Sequence, residues 1–236
     1  MTSFEAQITE KDCYWLQKTY LTSHEIIKNR GYSSIQSGKD LKHYPINASD
    51  ISYPGLLVPC FSLRGDEIGF FYYSNLFSSS GSCTNIPEIK QLAIENGKEK
   101  EDPFVVSCEP SSMSDFFNTT KPIYLTNSPL ISDALTTRGL CSMTVVNSAS
   151  QVFADKDILE FLDHAFDPIN LQNREIRIVG QWLEIFTPFP FKSSFLLSKS
   201  LLPKAAMISI VYSPKDLWLS DYVLGKFDVQ RYPIPI

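Results

Sequence analysis

The chain has 236 residues, 43% hydrophobic and 20% charged, which suffices for one large domain or two small ones and excludes a wholly disordered protein. A net charge of −5 argues against general affinity for nucleic acid. No apolar run approaches the roughly 18 residues of a membrane-spanning helix, no secretory leader is visible, and the five cysteines are widely spaced. We therefore expect a cytoplasmic protein with reduced thiols and no membrane partner.

The first predicted elements are two short helices joined by a tight turn. Thr9 caps the first helix, and Ser23 caps the second, which ends at Gly31. Such a pair is either a helical hairpin packed on the main domain, which we favour, or a helix-turn-helix that reads DNA. In the second case Lys28 and Arg30 are the basic residues available to the DNA.

A β-hairpin is predicted next, because residues 55–63 and 68–74 are two apolar and aromatic runs around a polar turn. Pro59 cannot donate a hydrogen bond to a neighbouring strand, which predicts an edge strand or a bulge at that point. Further along, the pattern predicts a short helix at 87–94 and a strand at 104–108.

The central feature of the sequence is a strand–helix–strand unit at residues 123–148. The first strand ends at Asn127, Ser128 and Pro129 open the helix, and Gly139 follows its last turn. Such a unit has parallel strands and a right-handed crossover. Its inner faces predict five core residues: Leu125, Ala134, Leu135, Val145 and Val146.

After this unit, helices and strands continue to alternate. We predict helices at 155–166, 193–202 and 213–224, and strands at 175–179 and 206–212. Strands separated by helices are typical of a parallel sheet with helices on its faces.

These elements predict an α/β fold, with a small, mostly parallel, Rossmann-like sheet and flanking helices, preceded by a helical hairpin and a β-hairpin. We expect an N-terminal region at 1–115 and an α/β domain with an extended C-terminal tail at 116–236. Ligands bind such sheets at the carboxyl ends of the strands. The ligand-binding candidates are therefore Asn127, Ser128, Asn147 and Ser148.

Three motifs in this order resemble a known family. They are residues 30–34 after the helical pair, the Gly-Leu-Leu-Val-Pro run from Gly55, and the Asp-Ala-Leu run from Asp133. Together they resemble the toprim-associated domain of unknown function found in primase-like and helicase-like replication proteins of phages, plasmids and other mobile elements. The resemblance covers about residues 9–180. It implies a toprim-like sheet, a helicase or primase as partner, and contact with DNA.

An active domain of the toprim kind has a glutamate at the end of its first strand and an Asp-x-Asp pair at the end of its third, which bind Mg²⁺. Here Asn127 ends the first strand, while Gly180 and Trp182 follow the third. We therefore predict a non-catalytic binding or scaffold module with no catalytic residue, cofactor or metal. Two alternatives remain open, a small-molecule-binding protein and a metal-dependent phosphotransfer enzyme or nuclease. The carboxylates that the enzyme would use are Asp155, Asp157 and Asp163.

Basic residues are the candidates for contact with DNA phosphates. Residues 192–236 carry six Lys or Arg against three Asp or Glu, so this end is locally basic. The nucleic-acid-binding candidates are Lys28, Arg30, Lys192, Lys199 and Lys204. Because the chain as a whole is acidic, we expect DNA binding to be weak and sensitive to salt.

Overall fold

A computed structural model describes residues 8–44, 51–74, 88–92, 104–117, 120–147, 155–172, 174–180, 205, 207–212 and 230–233. The α-helices in these ranges are α1 (Glu10–Thr19), α2 (His24–Arg30), α3 (Met113–Phe116), α4 (Pro129–Thr137) and α5 (Asp155–Ala165). The strands are β1 (Ser33–Ile35), β2 (Gly55–Phe61), β3 (Glu67–Ser74), β4 (Glu88–Leu92), β5 (Phe104–Cys108), β6 (Ile123–Thr126), β7 (Cys141–Asn147), β8 (Glu175–Gly180), β9 (Met207–Tyr212) and β10 (Gln230–Pro233).

The ten described strands form one sheet in the order β10-β9-β8-β6-β7-β5-β2-β3-β4, with β1 paired to β2 outside this path. The four central strands, β9-β8-β6-β7, are parallel. The strands on both sides of them pair antiparallel. The structure thus confirms the predicted α/β fold, with a sheet that is parallel at its centre and carries flanking helices.

Side chains of β6 explain why helices cover both faces of the parallel strands, since successive residues of a strand point to opposite faces. Ile123 and Leu125 join an apolar cluster with Leu162 of α5 and with Phe166, the residue that follows this helix. Tyr124, between them, belongs to a second cluster with α4. The residues of α4 in that cluster are Ile131, Ala134 and Leu135.

The predicted core of the strand–helix–strand unit is confirmed in its inner part. Leu125, Ala134 and Leu135 are buried, whereas Val145 and Val146 are only half-buried. These two valines lie beyond the last residue of β7 that pairs with β6, so β6 does not flank them. They pair with β5 on the other side.

Both helix caps predicted for the N-terminal hairpin are present. The Thr9 side chain accepts the Asp12 N–H, and the Ser23 side chain accepts the Ile26 N–H, each at 3.2 Å. Gly31 ends α2 with a left-handed φ of 81°, a conformation that favours glycine. The two helices bury apolar residues against the β2–β3 hairpin and α4, as expected for a packed helical hairpin.

The predicted β-hairpin is confirmed as β2 and β3, but β2 lies inside the sheet and not at its edge. A register shift occurs between Cys60 and Phe61, directly after Pro59. On the side away from β3, β1 pairs with the first three residues of β2 and β5 pairs with Phe61. Pro59 therefore lies in the gap between two partner strands, where its missing N–H costs no ladder bond.

The short helix predicted at 87–94 is wrong, because Glu88–Leu92 is the edge strand β4. It pairs antiparallel with β3 over its whole length. In so short a run, the spacing of the apolar residues cannot distinguish a helix from a strand. Pairing with the edge of β3 makes this segment a strand.

The C-terminal part is described only at its strands. Pro233 and the three residues before it pair with β9, so part of the predicted extended tail adds to the sheet of its own chain. The helices predicted at 193–202 and 213–224 lie outside the described residues. The boundary at 115/116 stays a prediction, and no helix in the described ranges is long and apolar enough to span a membrane.

Candidate functional site

The carboxyl edge of the parallel strands is the first candidate site. The register of β6 on β8 pairs Leu125 with Ile178, and both strands run in the same direction. Continued by two residues, this register places Asn127 beside Gly180. Asn147 ends β7, the parallel neighbour of β6 on its other side. Trp182 and Ser148 lie outside the described residues.

Local structure explains what Asn127 and Ser128 can do at this edge. Asn127 is exposed, whereas Ser128 is buried and leads into α4. Ser128 occupies the N-cap position of α4, but its side chain makes no capping hydrogen bond. Its Oγ lies 3.3 Å from the hydroxyl of Tyr73, and the Thr126 hydroxyl donates to the Ser128 carbonyl at 2.9 Å. The Ser128 hydroxyl therefore joins the β-hairpin to α4.

The carboxylates of the enzyme alternative lie on α5. Asp157 and Asp163 are both exposed, and six positions of helix turn them about 120° apart, so they do not face a common point. Asp155 begins the same helix, but its side chain is not described. Within the described ranges, no group of three His, Cys, Asp or Glu side chains is placed to hold a metal ion.

A second polar centre is fully buried and joins the N-terminal hairpin to α4. The Arg30 Nη1 donates to the Asp133 Oδ1 at 2.9 Å, and the Tyr32 hydroxyl donates to the Asp133 Oδ2 at 2.6 Å. The Arg30 Nη2 also donates to the Ser107 Oγ at 3.1 Å. Arg30 and Asp133 are both 0% exposed. We call this set of four residues the buried network.

The buried network was not predicted from the sequence, although one signal pointed to it. Arg30 follows Ile26 and Ile27 at helical spacing, so it belongs to the face of α2 that packs inward. An arginine on that face needs an anionic partner. The partner, Asp133, is 103 residues away in the chain, and no local pattern identifies it.

Burial has the largest effect on the pKa of Asp133. It raises the pKa of this carboxyl to about 6, although Arg30 and Tyr32 both lower it. The carboxyl therefore carries its charge at neutral pH, where it pairs with Arg30, and takes up a proton in mildly acidic solution.

The raised pKa of Asp133 predicts a pH dependence of stability. Because the folded pKa of about 6 lies above the ordinary value of 3.8, the folded state binds this proton more tightly, and the contribution of Asp133 falls as pH rises through that window. Relative to Asp133→Asn, which does not titrate, the wild type should be more stable at about pH 4 than at about pH 7, by on the order of 1–3 kcal/mol. Urea unfolding of both proteins at the two pH values measures this. An opposite sign means that Arg30 lowers the pKa more than burial raises it.

The structure removes one nucleic-acid-binding candidate and leaves four. Arg30 is fully buried and held by Asp133, so its guanidinium is not available to a phosphate. Lys28 on the same helix is exposed. The three remaining candidates lie outside the described residues, and they are Lys192, Lys199 and Lys204.

Solved primase structures share this fold. The chain superposes on a DNA primase domain from Pseudomonas aeruginosa with a TM-score of 0.60 and 12% identity, over 92% of this chain and 68% of that one. It superposes on a DnaG primase catalytic domain bound to single-stranded DNA with a TM-score of 0.57 and 14% identity, over 93% and 71%. The RNA polymerase domain of Mycobacterium tuberculosis DnaG in complex with double-stranded DNA gives a TM-score of 0.57 and 14% identity, over 93% and 70%.

Comparisons of the sequence alone gave no match. No protein-family model matches the chain, and no curated protein matches it significantly. At 12–14% identity, the likeness to these three structures shows the fold, which is that of primase catalytic cores.

Proposed function

We propose that the chain is a non-catalytic, primase-like module associated with the replication of a mobile genetic element. In this role it works beside a helicase or primase and contacts DNA weakly. The observation that carries the proposal is the carboxyl edge of β6 and β8, where the parallel register, continued by two residues from the Leu125–Ile178 pair, places Asn127 beside Gly180.

The chemistry of these two residues supports a binding role and not catalysis. Mg²⁺ is a hard cation that prefers carboxylate oxygens, and the amide of Asn127 is a weaker, uncharged ligand. The amide is also neutral and too weakly basic to accept a proton as a general base at any accessible pH. Gly180 offers no side chain at all. In the part of this edge that the structure describes, the ends of β6 and β8 therefore offer no carboxylate to a metal-assisted phosphoryl transfer.

The buried network supports the link to the replication proteins of mobile elements. Two of the motifs that carry the resemblance lie far apart in the sequence, but Arg30 and Tyr32 from one of them both hydrogen bond to Asp133 from the other. The two motifs thus form one structural unit. This favours a true resemblance to the family over a chance match of two short sequence runs. The helicase or primase partner follows from the resemblance alone.

Contact with DNA is supported by the solved structures of similar fold, two of which hold single-stranded or double-stranded DNA. The net charge of −5 limits such contact to local surfaces. A protein that contacts few phosphates binds weakly, and its affinity falls with added salt in proportion to the number of contacts.

The proposal is tested by two titrations of the wild-type chain. We expect single-stranded DNA to bind at low ionic strength and to be released near physiological salt, because few phosphates are contacted. In calorimetry we expect no heat of specific Mg²⁺ binding from the wild type. The matched control is Asn127→Ala, which removes the amide at the end of β6 and should give the same result. Stoichiometric Mg²⁺ binding that Asn127→Ala abolishes, or DNA binding that survives physiological salt, would contradict the proposal.

A further inference from the structure

One face of α1 combines an exposed aromatic ring with lysines. Asp12 and Leu16 form the buried face of this helix, while Tyr14 on the other face is 61% exposed. Lys11 and Lys18 are also exposed. At helical spacing, the three exposed residues follow each other along one line of the surface. Exposed Glu10 and Gln17 border this line, so the face keeps a positive balance.

The ring and one of the lysines are in contact. The Lys18 Nζ lies 5.6 Å from the centroid of the Tyr14 ring, within the range of a cation–π interaction. This places a positive charge over one face of a largely exposed ring. Because the contact is between exposed side chains, a ligand can displace the ammonium group from the ring at little cost.

The helix that carries Tyr14 is firmly mounted on the protein. The Ser34 hydroxyl on β1 donates to the Asp12 carboxylate and accepts the Thr9 N–H at 2.8 Å. Leu16 is 0% exposed in the cluster formed with the β2–β3 hairpin and α2. A ring held on a fixed helix loses little conformational freedom when a ligand stacks on it.

We propose that this face of α1 binds a single-stranded nucleic acid, with an unpaired base stacked on Tyr14 and a backbone phosphate on Lys18. Stacking on an aromatic ring requires an accessible base face, which a double helix hides and a single strand offers. The lysine charge complements the phosphate that flanks a stacked base. The proposal rests on the DNA-contacting function proposed above, and it assigns that contact to Tyr14 and Lys18.

The test measures the binding of a fluorescently labelled oligothymidylate by anisotropy at low ionic strength. Tyr14→Ala should weaken binding about five-fold to a hundred-fold, the range found for the loss of one stacked base. Tyr14→Phe keeps the ring and should bind like the wild type. Lys18→Gln should reduce the slope of log affinity against log salt by about 0.7, the effect of one phosphate contact on a single strand. Lys156→Gln, an exposed lysine on α5, is the matched control and should change neither quantity.

The outcomes separate this inference from the proposed function. If the wild type binds the oligothymidylate and Tyr14→Ala binds equally well while its thermal unfolding is unchanged, the inference is wrong and the DNA-contacting function stands. If a duplex of equal length binds as tightly and with the same dependence on Tyr14, stacking is not the mode of contact and the inference also fails. Displacement by polyglutamate that depends equally on Tyr14 would assign the face to an acidic protein segment instead. No binding of the wild type to any DNA would overturn both proposals.

Discussion

Replacing Arg30 with methionine is expected to lower the free energy of unfolding by about 3–5 kcal/mol. The substitution leaves the Asp133 carboxylate fully buried with no cation beside it. Methionine fills much of the volume of the arginine stem, so the loss reports the buried carboxyl left without its cation, either charged or forced to take up a proton, and not a cavity. The Ser107 hydroxyl also loses the Arg30 donor, although it still accepts the Phe61 N–H at 3.0 Å. Urea unfolding followed by circular dichroism at neutral pH measures the loss.

A second variant separates the charge from the packing. Arg30→Met combined with Asp133→Leu removes both charges and should recover most of the loss, since replacing a buried ion pair by apolar residues is often neutral or stabilising. The Tyr32 hydroxyl then lacks its acceptor, which keeps the recovery incomplete. If Arg30→Met alone costs less than about 1 kcal/mol, below the range for breaking a buried pair, then the network is not closed to water as described.

Leu135→Ala is expected to lower the free energy of unfolding by about 2–5 kcal/mol. Leu135 is 0% exposed and lies between α4 and the sheet, in the cluster that contains Tyr124 and Ile131. Truncation removes apolar contacts and leaves a cavity that the rigid sheet cannot fill. Chemical denaturation at one pH measures the effect.

Leu140→Ala is the matched control for this site. Leu140 packs against the same cluster but is only partly buried, so its truncation should cost less than that of Leu135. Equal losses at the two positions, or a loss at Leu135 below about 0.5 kcal/mol, would mean that α4 does not pack on β6 as described.

Local chemistry in the sequence was sufficient to predict the elements near the site. Thr9 and Ser23 cap their helices through their own side chains, and the apolar runs around Pro129 define β6, α4 and β7. The parallel order of β6 and β8 places the carboxyl ends of both strands, and with them Asn127 and Gly180, at the same edge of the sheet. Each of these features depends on residues that are close in sequence or on a general rule of chain topology.

What the sequence did not predict depends on distant partners. Ser128 lies where a helix cap is expected, but Tyr73 from the β-hairpin takes up its hydroxyl. Arg30 lies on the same helix as Lys28, and the sequence predicts both as DNA contacts, whereas the Arg30 guanidinium points inward to Asp133. Glu88–Leu92 forms a strand because it pairs with β3, although its local sequence pattern favours a helix.

The domain boundary proposed at 115/116 crosses a continuous structure. β5 pairs with β7 across it, and the Arg30–Asp133 pair joins the two sides. We therefore expect that the α/β part, if separated from residues 1–115, exposes apolar surface on β7 and α4 and leaves Asp133 without its cation. The N-terminal hairpin thus contributes contacts that the α/β part needs.

The most direct test of the central claim is an assay of Mg²⁺- or Mn²⁺-dependent nucleotidyl transfer by the purified wild-type chain on single-stranded templates. The account predicts no transfer above background, and none after Asn127→Glu, since one carboxylate does not rebuild a site that also lacks its partners at the end of β8. Robust metal-dependent transfer, abolished when Asp155 and Asp157 are both replaced by alanine, would contradict the claim and establish an enzyme that uses carboxylates of α5.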